Sequence, residues 1–398
     1  MMDDGLADRP KSLSDGLGAF EDRHPKFAGA PLEYPWNTEV PDFGSLIEVA
    51  SGIFWTRLPL PWALDHINVY IIDDGDGWTI IDTGIDGAQT QKCWQLIAET
   101  ICAEKPIKRV ICTHFHHDHA GSAGWLCDLH GAPLWMSETE YLYAKTVSLE
   151  KEPESYGSMV SFLIKAGLQV DDPEKAKIMA VDMMSGGIGP IPQSYIRLMD
   201  GSEFEMGGRT WRVITGRGHS PEHACLECLD EPILISGDQV IAEISSIVGV
   251  YGDQPLANPL ALWLESLDRL RAAHPDALVL PSHKRPFKGL HRRLQDLTDD
   301  HSSKLQKIAG FCGGDQKTAL QIIKPLFGRT LQPFDLILAL SETVAHIHLL
   351  VELGVLSRIE EDNVWQFETV ADFEPDRLIK DVLDLPGVKS RNVCALRD

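Results

Sequence analysis

The sequence has no run approaching the ~18 consecutive apolar residues that a membrane-spanning helix requires. Its first stretch, MMDDGLADRPKSLSDGLG, lacks the basic segment and the apolar segment of a secretory leader. Cysteine is sparse: eight scattered through 398 residues make no disulfide framework. The lone CxxC, Cys225 and Cys228, has no second pair with which to build a zinc ribbon, and its apolar setting (ACLECL) predicts two core thiols. These absences together predict a reduced, cytoplasmic protein. Positive charge is short as well. A formal net charge of −23 disfavours non-specific attraction to nucleic acid or to an anionic membrane.

What is present is an ordinary globular composition, 43% hydrophobic, with length enough for two to three domains. Residues 1–45 are polar and rich in Pro, Gly and Asp, and read as an arm over the domain or as partly disordered. Beyond them, Ile67–Asp73 and Trp78–Asp82 read as strands joined by a DGDG turn, and Ala88–Cys102 has helical spacing. Arg109–Cys112 is a short buried strand, and Ala120–His130 a helix closed by Gly131. Short strands recur at Thr210–Thr215, Ala224–Cys228, Ile233–Ser236 and Ala277–Leu280, with a helix at Pro259–Ala273 between the last two. Residues 137–200 break that rhythm with helical stretches and five methionines (Met159, Met179, Met183, Met184, Met199), which predicts a helical insertion over the active face. After residue 290 the pattern is Leu290–Ile308, then short helices at Lys317–Phe327, Asp335–Glu342 and Thr343–Leu353. A hairpin follows, Leu356–Ile359 with Val364–Phe367, and the unit as a whole is winged-helix-like.

The chemistry is concentrated in Thr113-His114-Phe115-His116-His117-Asp118-His119. Imidazole and carboxylate suit zinc and its first-row neighbours. Polar groups at this density are expensive to bury unless coordinated. A tight loop after a strand lets His114 and His116 share one metal while Asp118 and His119 turn to a second.

With its other motifs, the chain resembles the metallo-β-lactamase superfamily. Residues 114–119 match the HxHxDH signature. In order there follow or precede Asp82 in IIDTG, His219 in GRGHSPEH, Asp238 in LISGDQV and His283 in LPSHKRP, over roughly residues 46–290. The resemblance implies an α/β fold, the αββα sandwich. It also implies two divalent ions, zinc foremost, with iron or manganese accepted by the same donors. His114, His116 and His219 would hold the first ion, Asp118, His119 and His283 the second, with Asp238 bridging and Asp82 orienting the ligand loop. Oxygen-reducing diiron relatives typically carry Glu where His116 stands. A hydroxide bridging the ions would attack the substrate, with Asp118 assisting proton transfer.

Weaker candidates surround this set. His223 reaches either the substrate or the back of a ligand. His117 points away from the metals. Trp62, His66 and Tyr251 are candidates for the substrate wall, and the methionines for an adaptable apolar pocket. The stretch TVAHIHLLVELGVLSRIEEDNVWQFE resembles a branch holding endoribonucleases and acyl-carrier thioesterases. Residues 301–398 carry 11 Lys and Arg against 14 Asp and Glu, so this tail is not a basic nucleic-acid grip. Dimerisation or a lid suits it better. The expectation is a hydrolase of small acyl substrates (thioester, ester or lactone). A metal-dependent endoribonuclease or phosphodiesterase and a β-lactam hydrolase stand as the alternatives.

Overall fold

The structure is a computed structural model that describes residues 31–101, 105–328 and 331–388. Its described residues form 14 strands. Seven make the first sheet in sequence order: β1 (Ile47–Ala50), β2 (Ile53–Pro59), β3 (His66–Asp73), β4 (Trp78–Ile81), β5 (Ile107–Ile111), β6 (Leu134–Ser137) and β7 (Tyr195–Leu198). Pairing is antiparallel through β4 and parallel from β4 to β7. The second sheet contains β8 (Glu203–Met206), β9 (Arg209–Gly216), β10 (His223–Cys228), β11 (Ile233–Gly237) and β12 (Leu278–Pro281), with only β11 and β12 parallel.

Strand alternation explains the layering. Successive side chains face opposite sides of a sheet, and both sides are buried here, so the strands read as continuous apolar runs. On β3, Ile67, Val69 and Ile71 face a helical layer, while Tyr70 and Ile72 face the other sheet. On β11, Ile233 and Ile235 face inward and Leu234 outward; on β12, Leu278 and Leu280 face inward and Val279 outward. The inner layer is closed by Trp55, Trp211 and Leu226. Cys225 and Cys228, three apart on β10, therefore lie on opposite faces, and the six described cysteines are buried and free.

The helices are α1 (Ala88–Ile101), α2 (His117–Ala120), α3 (Ala123–His130), α4 (Glu138–Leu149), α5 (Gly157–Lys165), α6 (Pro173–Ser185), α7 (Pro259–Leu270), α8 (Leu290–Phe311), α9 (Ala319–Phe327), α10 (Pro333–Glu352) and α11 (Leu378–Asp384). Trp94, Ile97, Leu126 and Tyr141, from α1, α3 and α4, cover the first sheet. Trp263 and Leu264 of α7 and Leu294 of α8 cover the second. None of the described helices is long and apolar enough to cross a membrane.

Several expectations change. The helix read over Ala120–His130 is two pieces, α2 and α3, broken at Gly121 and Ser122. The segments Asp335–Glu342 and Thr343–Leu353 are one helix, α10; Thr343 sits inside it by returning its hydroxyl to the Ala339 carbonyl (2.7 Å). Residues 137–200 are not one helical insertion. α4 belongs to the layer on the first sheet, α5 and α6 share the core of α8 and α10, and β7 completes the first sheet. Nor do the methionines converge: Met159 is core, while Met179 and Met199 are exposed. The hairpin is present, longer than expected, as β13 (Leu356–Glu361) and β14 (Val364–Thr369). Asp362 and Asn363 turn it, both with positive φ (50° and 65°), as a two-residue type I′ turn demands. Of the N-terminal arm, residues 1–30 lie outside the described residues. Glu33 bridges Lys288, and Phe43 bridges Arg57 on β2.

Candidate metal centre

The parallel pairs β4–β5 and β11–β12 direct their C-terminal ends to one edge of the sandwich, and the motif histidines and aspartates follow those ends. Asp82 follows β4, His114 follows β5, Asp238 follows β11 and His283 follows β12; His219 lies between β9 and β10. The edge is tied by backbone bonds across the sheets, Ala224 N to Thr113 O (2.8 Å) and Asn68 N to Ser282 O (2.6 Å), and by Thr83 N to His119 O (2.8 Å) between loops of the first sheet. Asn68 and Tyr70 of β3 both donate to the Pro281 carbonyl (2.8 Å each), which anchors the turn bearing His283.

Each ligand loop fixes its imidazole through the far ring nitrogen. His119 Nδ1 donates to Asp82 Oδ2 (2.9 Å), His219 Nδ1 to the Ile247 carbonyl (2.8 Å) and His283 Nδ1 to the His66 carbonyl (2.9 Å). His114 Nδ1 lies 3.1 Å from the Thr113 hydroxyl, which itself donates to Asp82. The Nε2 atoms of these four rings are left for the centre. Asp82 holds this arrangement from a left-handed backbone (φ 64°), accepting also from Thr113 N (2.8 Å).

The free atoms fall into donor sets: His114, His116 and His219; His114, His119 and Asp238; and Asp118, His119 and His283, the atoms of each lying within 4.8 Å of one another. His114 Nε2 is 2.8 Å from His116 Nδ1 and 3.2 Å from His219 Nε2. Asp238 reaches both ends, with carboxylate oxygens 3.4 Å from His219 Nε2, 3.5 Å from His119 Nε2 and 3.4 Å from His283 Nε2. His119 Nε2 and Asp238 Oδ1 are buried without a hydrogen-bond partner. Orphaned buried polar atoms are costly. Lone pairs of neighbouring imidazoles at about 3 Å repel unless a cation lies between them. The donor set fits divalent ions on both counts.

The comparisons with known proteins agree. A model of the metallo-beta-lactamase superfamily matches residues 62–283, and one of a metallo-beta-lactamase-like C-terminal domain matches residues 305–370. The chain belongs to the metallo-beta-lactamase superfamily. It is similar to a beta-lactamase domain protein from Burkholderia ambifaria, at 36% identity and a TM-score of 0.77, over 85% of this chain and 97% of that one. A probable metallo-hydrolase of Bacillus subtilis, YqjP, is 22% identical over 79% of this chain and 97% of its own length. An atrochrysone carboxyl ACP thioesterase of Paecilomyces divaricatus is 25% identical over 56% of this chain, and the match spans about half (51%) of that relative. The chain is thus a hydrolase of the metallo-β-lactamase fold.

Charge in this superfamily site is sharply divided. Burial opposes the charged forms, yet the carboxylates Asp118, Asp82 and Asp238 hold the His119 imidazole well above its usual pKa. His283 is likewise raised against burial to about 10, by Asp238 and Asp118. The same pairs, against burial, keep Asp238 well below the usual carboxylate range. His114 and His116, buried among other imidazoles, are pushed well below neutrality. Without a cation, therefore, His119 and His283 carry protons at pH 7 that ligation must displace. Metal loading at pH 7 is expected to release protons. A weakly buffered indicator titration with Zn2+ reads this directly; release of none would contradict the charge assignment.

His223 is corrected. It is fully buried at the start of β10, where its Nε2 accepts from the Asp238 amide (3.0 Å) and its Nδ1 faces Cys225 Sγ (3.7 Å). Burial pushes its pKa down to about 3, so it backs Asp238 as a neutral acceptor and has no access to substrate. His66 is also turned away from the mouth. Its Nδ1 pairs with Asp65 (2.7 Å), its Nε2 accepts from the Lys284 amide (3.1 Å), and its carbonyl orients His283. Trp62 is exposed, and its ring packs at a tilt against His117, ring centroids 4.8 Å apart. Tyr251 sits where its loop meets α5 and α10: a Cβ on Gly249 would lie 3.1 Å from both its hydroxyl and Ser341 Cβ. A nearer wall is Phe115, whose ring lies against His116 (4.6 Å) and Tyr143 (5.2 Å).

Several bracing residues carry no signal in the sequence. Ser246 donates to the Asp238 carbonyl. Arg293 of α8, buried, donates to the carbonyls of Ile241 (2.6 Å) and Ile244 (2.8 Å), pinning the loop that supplies Ile247 to His219. Glu140 of α4 is fully buried; burial raises the pKa of its carboxyl, while hydrogen bonds from the Ser220 hydroxyl and the Glu222 and Phe115 amides favour the ionised form. These are single polar residues inside helices or loops, and only the folded chain brings them to the site.

Proposed function

We propose that the chain is a two-metal hydrolase of carboxylic thioesters, with oxygen esters and lactones as the next class. The observation that carries this reading is the convergence of two donor sets, His114–His116–His219 and Asp118–His119–His283, on the shared carboxylate of Asp238. When bound there, two divalent ions would lower the pKa of a shared water and polarise the scissile carbonyl. Asp238 keeps the two sets in register. Asp118, whose Oδ2 lies 3.3 Å from His283 Nε2 in the second donor set, would hold a proton on its other carboxylate oxygen during turnover.

The leaving group decides the bond type. His223 and His66, which the sequence offers as groups that could reach the substrate, have their ring nitrogens engaged. A thiolate departs without protonation, since a thiol has a pKa of about 8.5, whereas an alkoxide does not. The overall acidity of the chain adds to this, because it works against a polyanionic nucleic acid. The thioesterase named among the relatives supports the same bond.

The test is thiol release from a panel of acyl-CoA thioesters by metal-loaded protein, with a chelated control. Chelator-sensitive release with a chain-length preference is the expected result. Turnover of lactones or esters alone would transfer the reading to oxygen leaving groups. Turnover of phosphodiesters alone would overturn it.

A further inference from the structure

Glu140 is a carboxylate with no exposed surface and three donors. Its Oε2 accepts from the Phe115 amide (3.0 Å), between His114 and His116 in the chain. Its Oε1 accepts from the Ser220 hydroxyl (2.7 Å) and the Glu222 amide (2.6 Å), immediately after His219. The clasp is reciprocal. Glu222 Oε2 accepts from the Thr139 amide (2.9 Å), and Ser137 Oγ donates to the Glu222 carbonyl (2.8 Å). The loop carrying His114 and His116 comes from the first sheet, and the loop carrying His219 from the second. One side chain therefore joins the two loops that make up the first donor set. The second donor set has its own brace, Asp82, which receives His119 Nδ1 and the Thr113 amide.

We propose that Glu140 is the positioning residue of the first metal: its carboxylate fixes the separation of His116 from His219. The inference rests on the two-metal reading of the site. A carboxylate is required because every group facing it is a donor, and it alone offers acceptors on both oxygens. In Glu140→Gln the shape stays, but the amide NH2 must face either the Phe115 amide or the Ser220–Glu222 pair. The single bond to Phe115 gives way first, and the His114–His116 loop moves from His219.

The experiment is titration of metal-free protein with Co2+, followed by the d–d absorption band and by stoichiometry, beside thermal melting of the metal-free protein. Wild type is expected to take two Co2+. Glu140→Gln is expected to bind one of the two at least tenfold more weakly, the range for losing a partner that orients a ligand, with an altered band and the other site intact. Ser220→Ala, which keeps the carboxylate and removes one donor, should weaken the same site by less, and it tests the inference if Glu140→Gln does not fold. Two sites of unchanged affinity and spectrum in these variants would overturn the role of Glu140 alone. Equal weakening of both sites in step with a lower metal-free melting temperature would also overturn it, as the mark of a purely structural residue. Wild type that binds no Co2+ would overturn the two-metal reading together with it.

Discussion

Replacing Asp238 by Ala is expected to lower kcat/KM by at least about 100-fold, or about 2.7 kcal/mol of lost transition-state stabilisation, and to leave the chain with close to one tightly held metal. Among the described residues, its carboxylate is the one that lies within 3.5 Å of Nε2 atoms from both donor sets, His219 on one side and His119 and His283 on the other. No neighbour can replace it. Asp118 meets His119 and His283 only (3.6 and 3.3 Å). The loss should be seen twice, as fewer zinc ions per chain by elemental analysis and as fewer protons released on loading, because Asp238 is a principal source of the raised His283 pKa. The fold should survive, since the loop is still held by the His223 acceptor on the residue 238 amide and by the hydroxyl of Ser246 on its carbonyl. Two metals and full turnover in this variant would remove Asp238 from the centre.

The residues of this centre were legible in sequence for a physical reason. Metal donors cluster at strand ends, and strand ends are marked by short apolar runs such as RVIC before His114 and PILIS before Asp238. The same runs revealed nine of the 14 strands among the described residues; β1, β2, β6, β7 and β8 were not read, and in β1, β7 and β8 exposed positions interrupt the apolar run. What the sequence concealed is direction. His223 and His66 look as available as His219, and only the fold shows their nitrogens spent on the Asp238 and Lys284 amides. Residues 137–200 misled for a related reason. Helical spacing tells that α4, α5 and α6 have an apolar face, but not against which of two cores each one lies. The division at Thr343 was misread because a hydroxyl inside a helix resembles a cap until its bond to Ala339 is seen.

Gly237→Ala is expected to be strongly damaging at the site. Gly237 has φ 53°, and a Cβ there would lie 2.4 Å from both Cε1 and Nε2 of His223 and 3.3 Å from Thr113 Cβ. Two costs combine: about 1–2 kcal/mol for an alanine in the left-handed region and about 1–3 kcal/mol for overpacking a filled interior. The ring cannot yield cheaply. Its Nε2 accepts from the Asp238 amide, Cys225 Sγ lies behind Nδ1, and the His114 ring packs on it at 4.8 Å. Displacing His223 therefore moves Asp238 and His114 together, so the variant should lose metal affinity as well as stability. Gly75→Ala separates the two costs. Gly75 also has positive φ (78°), but its Cβ would meet nothing within 4 Å, so only the backbone term applies. Melting temperatures of the two metal-free variants should differ by several degrees, with Gly237→Ala the lower, and only that variant should need excess metal for activity. Equal melting and equal metal demand would mean that His223 does not hold Asp238 through a filled contact. Asp238 would then owe its position to Ser246 and the metals alone.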